Sequence, residues 1–326
     1  MDYSRRDIAR IALAAGASTS LLAAKPNSNF GGVQIGVITY SFRSLSSTAE
    51  DTLKYCLECG ISGIELMSNV PEGYAGAPLP TPGKYVPTRG ADGRPQFTAE
   101  QRAGMQKDAE TLKAWRLAAS MQKYKAFRKM YEDAGVKIYA FKLPPTMAMS
   151  DGEYEYIWNV AETVGANHIT MELPTEDAHL QRVADYAAKR KLRIAFHTHG
   201  QGGASNFDKA LAASPYTALN FDVGHYVALT GESPVPVIEK YHSRISSLHL
   251  KDRKGPASAG PNGRGGPNVP WGQGDTPLRE ILQVMKKNKY SFPGSIEYEY
   301  ETPAGSSVIA EVKKCVAFSK NVLSAS

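Results

Sequence analysis

The chain has 326 residues, 42% of them hydrophobic and 21% charged, with a formal net charge of +6. That is ordinary globular composition, enough for one large barrel or two smaller domains. The basic residues are spread along the chain, which argues against a nucleic-acid partner, and three cysteines, an odd number, exclude a disulfide framework.

At the N-terminus, Ser4-Arg5-Arg6-Asp7 precedes an apolar, Ala-rich stretch from Ile8 to Ala24. This stretch is too short and too weakly apolar for a membrane span, which needs about 20 predominantly apolar residues. A positive start, a short apolar middle and small residues at Ala23-Ala24 are the layout of a cleavable export signal, with a plain amphipathic helix as the alternative. The paired arginines resemble the twin-arginine class, whose cargo crosses the membrane folded, although Ile8 stands where that pattern has Phe. Residues 1–24 are thus expected to be an export signal, 25–32 a linker and 33–326 a single domain. The expected location is periplasmic or secreted, with no stable membrane anchor after cleavage.

Beyond the signal, short β-branched and apolar runs alternate with helical patterns, as parallel βαβ units do. The expected strands are Gln34–Tyr40, Gly63–Met67, Lys137–Lys142, His168–Leu173, Arg193–His197, Ala218–Val223, Ile245–Leu250 and Ser295–Tyr300. Helical patterns lie between them, among them Thr48–Cys59, Glu100–Ala134, Tyr154–Val164, Asp177–Ala188 and Pro277–Lys287. Cys56-Leu-Glu-Cys59 falls in the first of these and reads as two half-buried helix cysteines. Eight strand–helix repeats, with no GxGxxG after the first strand, point to a closed (β/α)8 TIM barrel of the α/β class as one domain. Long Gly- and Pro-rich loops follow strand two (Asn69 to Gln96) and strand seven (Arg253 to Gly274), on the face where active sites of this fold sit.

Ligand-type side chains gather at the ends of the later strands. All seven histidines lie from His168 onward; strand four closes on Glu172, strand five on His197-Thr198-His199, and strand six on Asp222-Val-Gly-His225. Strand seven reads His249-Leu-Lys251-Asp252, and strand eight Glu297-Tyr-Glu299. Side chains alternate along a strand, so His197 shares a face with His199, and Glu297 with Glu299. Burying so many ionisable groups is costly unless a cation or mutual pairing compensates, and a divalent ion is the simplest compensation. Mixed carboxylates and imidazoles suit manganese, zinc, iron or cobalt better than calcium; manganese is the first choice, with magnesium also open.

The motifs Asp222-Val-Gly-His225, Leu248-His-Leu-Lys-Asp252, Pro270-Trp-Gly-Gln-Gly-Asp275 and Tyr290-Ser-Phe-Pro-Gly-Ser-Ile-Glu297 together resemble the xylose isomerase-like barrel superfamily. That group includes sugar phosphate isomerase/epimerase proteins, tagatose/psicose 3-epimerases, inosose dehydratase and the endonuclease IV branch. The resemblance covers nearly all the chain after the signal and implies four metal ligands: the strand-five position, Asp222, His249 and Glu297. Relatives commonly have Glu on strand five, serving as ligand and acid/base together, whereas this chain has His197. Glu172 is therefore expected to supply the missing carboxylate, as ligand or as base, with Glu297 as the second catalytic carboxylate. Lys142, His199, His225, Lys251 and Glu299 are expected to meet substrate oxygens; for His225, support of Asp222 is an equal alternative, and for Lys251 and Asp252 a surface ion pair is a lesser one.

The resemblance implies a metal-dependent isomerase or epimerase that removes a proton next to the carbonyl of a keto sugar or its derivative. A dehydratase, a 3-keto-glycoside eliminase and a non-catalytic exported sugar-binding barrel remain alternatives, and homo-oligomerisation stays open. Trinuclear phosphodiester cleavage of the endonuclease IV type is disfavoured, because no histidine precedes His168.

Overall fold

The apolar runs form eight parallel strands: β1 Val33–Ile38, β2 Gly63–Met67, β3 Lys137–Lys142, β4 His168–Glu172, β5 Arg193–His197, β6 Thr217–Asp222, β7 Ile245–Leu250 and β8 Gly294–Ile296. Each pairs with its neighbour in sequence, and β8 pairs back onto β1, closing the barrel. The computed structural model describes residues 25–81, 83–90, 95–199, 204–260 and 265–325. The expected export signal at 1–24 lies outside them. Among the described residues no helix is long and apolar enough to cross a membrane.

The helices cover the barrel with one apolar face each. Leu278–Lys287 shows the rule: Leu278, Ile281, Leu282 and Met285 recur at helical spacing and are all buried. Burial of each such side chain stabilises by about 1.5–3 kcal/mol. The expected helical stretch 100–134 is two helices, Ala99–Ala118 and Gln122–Asp133, because the chain turns extended at Ala119. The first leaves none of its residues fully buried; the second returns Tyr124, Phe127 and Tyr131 to the core. Arg116 then pairs with the buried Glu72 at 2.7 Å, tying this excursion to the helix Asn69–Ala75, which occupies part of the expected strand-two loop. Cys56 and Cys59 lie in and at the end of helix Ala49–Glu58; with Cys315 they are free and buried, more deeply than expected.

Strand eight differs most from expectation, stopping at Ile296 rather than Tyr300. Glu297 still donates its N–H to Leu250 O at 3.0 Å, but the next N–H, of Tyr298, goes to Ser41 Oγ at 3.0 Å. A side-chain hydroxyl replaces the ladder there, and Glu297 and Glu299 project from a loop.

Inside the barrel the polar residues stack in layers. At the bottom, Tyr139 bonds Ser295 and lies so close to Gly36 that any side chain at Gly36 would strike its ring. Above it, Glu65 accepts from Thr170 Oγ1 at 2.7 Å and from Asn220 Nδ2 at 3.1 Å, while His168 meets Ser247 Oγ at 3.0 Å. The top layer is the metal-type cluster.

Candidate metal centre

Register decides which strand ends meet. Asp222 pairs with His249 across β6 and β7, and Glu172 with His197 across β4 and β5. Alternation then turns His197, Asp222 and His249 into the barrel mouth. Glu297 joins them from the loop after β8, and one ligand-type atom from each of the four lies within 4.8 Å of all the others. All four residues are buried.

Each ligand is oriented by a partner behind it. Asp222 caps the helix Val223–Thr230: its Oδ1 accepts the N–H of His225 at 2.7 Å. Its Oδ2 is buried and accepts no hydrogen bond, with His197 Nε2 at 3.8 Å, His249 Nδ1 at 3.9 Å and the Lys251 ammonium at 2.9 Å as an ion pair. His197 Nδ1 donates to Asn220 Oδ1 at 3.0 Å, which leaves Nε2 unprotonated and facing the cluster. Burial, then Lys142 and His249, push this imidazole well below its ordinary range, so it is neutral. His249 sits between two carboxylates, with Nε2 2.8 Å from Glu65 Oε2 and Nδ1 2.9 Å from Glu297 Oε2. Burial alone would lower it, but Glu65 and Glu297 carry it up to about 10. Burial likewise works against the charge on Glu297, yet Lys251 and His249 hold it well below the usual carboxylate range.

These donors fit a divalent ion. A neutral imidazole nitrogen and buried carboxylate oxygens of Asp222 and Glu297 already face one point, and Asp222 Oδ2, which makes no hydrogen bond, is met there by the Lys251 ammonium as an ion pair. Glu65 behind His249 is the carboxylate–histidine arrangement that fixes the ring, and Nδ1, which meets Glu297, would give up its proton to hold an ion.

The remaining expected site residues take several places. Glu172 stands outside the four-residue group: its carboxylate, two-fifths exposed, turns to His199 Nδ1 at 2.5 Å and to Lys142 Nζ at 3.5 Å. Its assignment to the metal shell therefore does not follow from the geometry, and it forms a rim pair with His199 instead. His225 faces the cluster from the side; the Arg253 guanidinium donates to its Nδ1, and burial, with Lys251 and His199, pushes the ring down to about 2. His197, His199 and His225 form a second group of converging imidazoles.

Lys251 and Asp252 are not a surface ion pair. Both are buried, Lys251 among carboxylates, while Asp252 accepts the N–H groups of Gly272 at 2.8 Å, Gly274 at 2.9 Å and Thr276 at 3.2 Å. Asp252 thereby clamps the Pro270–Asp275 motif beside the mouth. Glu65, Asn220 and Arg253 were not expected from the sequence. For Glu65 a signal was present, a lone acid inside the apolar run Gly63-Ile-Glu-Leu-Met67.

Comparison with known proteins agrees with the fold. Residues 175–318 match the family model of the xylose isomerase-like TIM barrel. The fold is the xylose isomerase-like TIM barrel. The crystal structure of a sugar phosphate isomerase/epimerase from Parabacteroides distasonis superposes with a TM-score of 0.57 at 15% identity, over 95% of this chain and 100% of that one. A xylose isomerase-like TIM barrel protein from Mycobacterium smegmatis, solved in complex with magnesium, gives 0.52 at 14% identity, over 90% and 97%. At these identities the likeness is one of fold. In sequence the chain is 31% identical over 152 residues to inosose dehydratase of Clostridium botulinum (strain Eklund 17B / Type B), over 42% of this chain and 51% of the relative. The chain thus spans about half the length of that relative.

Proposed function

We propose that this protein is a divalent-metal-dependent enzyme acting on a keto sugar or cyclic keto-polyol, removing a proton next to its carbonyl and expelling a β-hydroxyl as water. The observation that carries the reading is the buried quartet His197, Asp222, His249 and Glu297, whose ligand-type atoms converge within 4.8 Å of one another. A divalent ion held there would polarise the substrate's carbonyl oxygen and stabilise the negative charge that proton removal places on it. The chain's own residues do the rest. Glu172 and His199 form an exposed hydrogen-bonded pair at the rim, able to take and return a proton. Lys142 and His225 face the same mouth and can orient hydroxyl groups.

Two observations favour elimination over epimerisation. The similarity to inosose dehydratase supports loss of water. His197, neutral and turned to the cluster, stands where epimerisation would use a second acid/base carboxylate. Isomerisation or epimerisation remains the second reading, supported by Glu297 as a carboxylate within the cluster. The same proposal places the protein outside the cytoplasm, on the strength of Arg5-Arg6 and the apolar run behind them.

The test is to incubate manganese-loaded protein with a panel of inososes and keto sugars in D2O and follow them by NMR. Deuterium uptake with formation of an enone or its diketone tautomer supports dehydration, and uptake with inverted configuration supports epimerisation. Binding without exchange would leave only a sugar-binding barrel.

A further inference from the structure

The metal-type cluster contains a cation of its own. Lys251 follows His249 by two positions, one residue past the end of β7, so its side chain continues on the same inward face. Its stem lies across Gly224 of the Asp222-Val-Gly-His225 motif, where a Cβ would overlap Lys251 Cγ. Nothing larger than glycine leaves this groove open. The ammonium is delivered to three carboxylates: Glu297 Oε2 at 2.5 Å, Asp222 Oδ2 at 2.9 Å and Glu299 Oε2 at 2.8 Å.

Two of those oxygens belong to the ligand quartet. A buried ammonium and a divalent ion drawing on the same oxygens repel each other in a medium of low dielectric. The third carboxylate, Glu299, lies outside the quartet and gives the ammonium somewhere to go. Resting on the proposal that the quartet binds metal, we infer that Lys251 is a resident cation that neutralises Asp222 and Glu297 before metal arrives, yields toward Glu299 on loading, and so sets the affinity of the site. Lys251 is on this account a positioning residue, which keeps the carboxylates gathered in the empty site at the expense of tight metal binding.

The experiment titrates manganese into chelator-stripped full-length protein by calorimetry, alongside thermal melts with and without the ion. Lys251→Met should bind manganese at least about tenfold more tightly than wild type, because a competing charge is gone. Its metal-free form should melt lower, and its gain on loading should be larger. Glu299→Gln should shift affinity the other way, since the displaced ammonium loses its refuge. Lys251→Arg, which keeps the charge, should not share the gain. Equal or weaker binding by Lys251→Met, with wild-type binding abolished by Asp222→Ala, overturns this inference and leaves the metal centre standing. No manganese binding in either wild type or Lys251→Met overturns both. Should Lys251→Met fail to fold, Glu299→Gln decides: unchanged affinity there rejects the displacement.

Discussion

His249 Nε2 lies 2.8 Å from Glu65 Oε2, so an imidazole on the seventh strand is held by a carboxylate on the second, across the barrel. Glu65 is wholly buried, and burial works against its charge, but His249, then Lys142 and Thr170, bring it down to about 2. Its negative charge orients the ring from behind.

Glu65→Gln should therefore weaken metal binding without touching the ion. An NH2 group in place of Oε2 would face the donors on Asn220 and His249, and in either orientation of the amide the negative charge behind the ring is gone. Loss of such a partner behind a ligand histidine typically costs about 10–100-fold in metal affinity. Calorimetric titration measures it, and wild-type affinity in this variant would remove Glu65 from the site.

Metal content tests the quartet directly. Purified protein should carry about one divalent ion per chain, since four ligands converge on one point. Asp222→Ala and His249→Ala should each lose it. Elemental analysis showing full occupancy in both variants would move the site elsewhere.

Glu172→Gln separates the rim from the shell. Its carboxylate pairs with His199 and stands outside the quartet, so metal content should stay at the wild-type level. Turnover should fall roughly 100-fold with KM changed little, the usual size of a lost acid/base contribution. Loss of metal in this variant would restore Glu172 to the ligand set.

His168 gives a pH signature apart from the metal. Buried between Asn167 Oδ1 at 2.5 Å and Ser247 Oγ at 3.0 Å, its imidazole is pushed by burial from 6.5 down to about 4. Between those values the unfolded chain takes up a proton that the folded one refuses. Stability is thus full above 6.5 and falls as the pH drops toward 4, by at most roughly 1.4 kcal/mol per unit from this group. His168→Gln should flatten this acid limb in urea denaturation between pH 7 and 4.5. An unchanged slope would show that His168 titrates normally.

Export can be tested without purification. Replacing Arg5-Arg6 by Lys-Lys should hold the protein in the cytoplasm, because that pathway reads the paired arginines. Fractionation showing normal periplasmic accumulation would refute the twin-arginine reading.

The sequence by itself determined the repeating strands and the members of the quartet. Hydrophobic period is a local property, so Gly63–Met67, Lys137–Lys142, Arg193–His197 and Ile245–Leu250 were legible to the residue. His197, Asp222, His249 and Glu297 were legible because polar residues ending apolar runs are conspicuous. Strand eight was read too long, because its end depends on Ser41, a hydroxyl 257 positions away from Tyr298. Tertiary structure alone decided the partners: Glu65 behind His249, Gly224 beneath Lys251, and Glu172 turned from the ligands to His199. Those contacts follow from barrel closure and strand register, which set residues 184 apart side by side and which no run of neighbouring residues encodes.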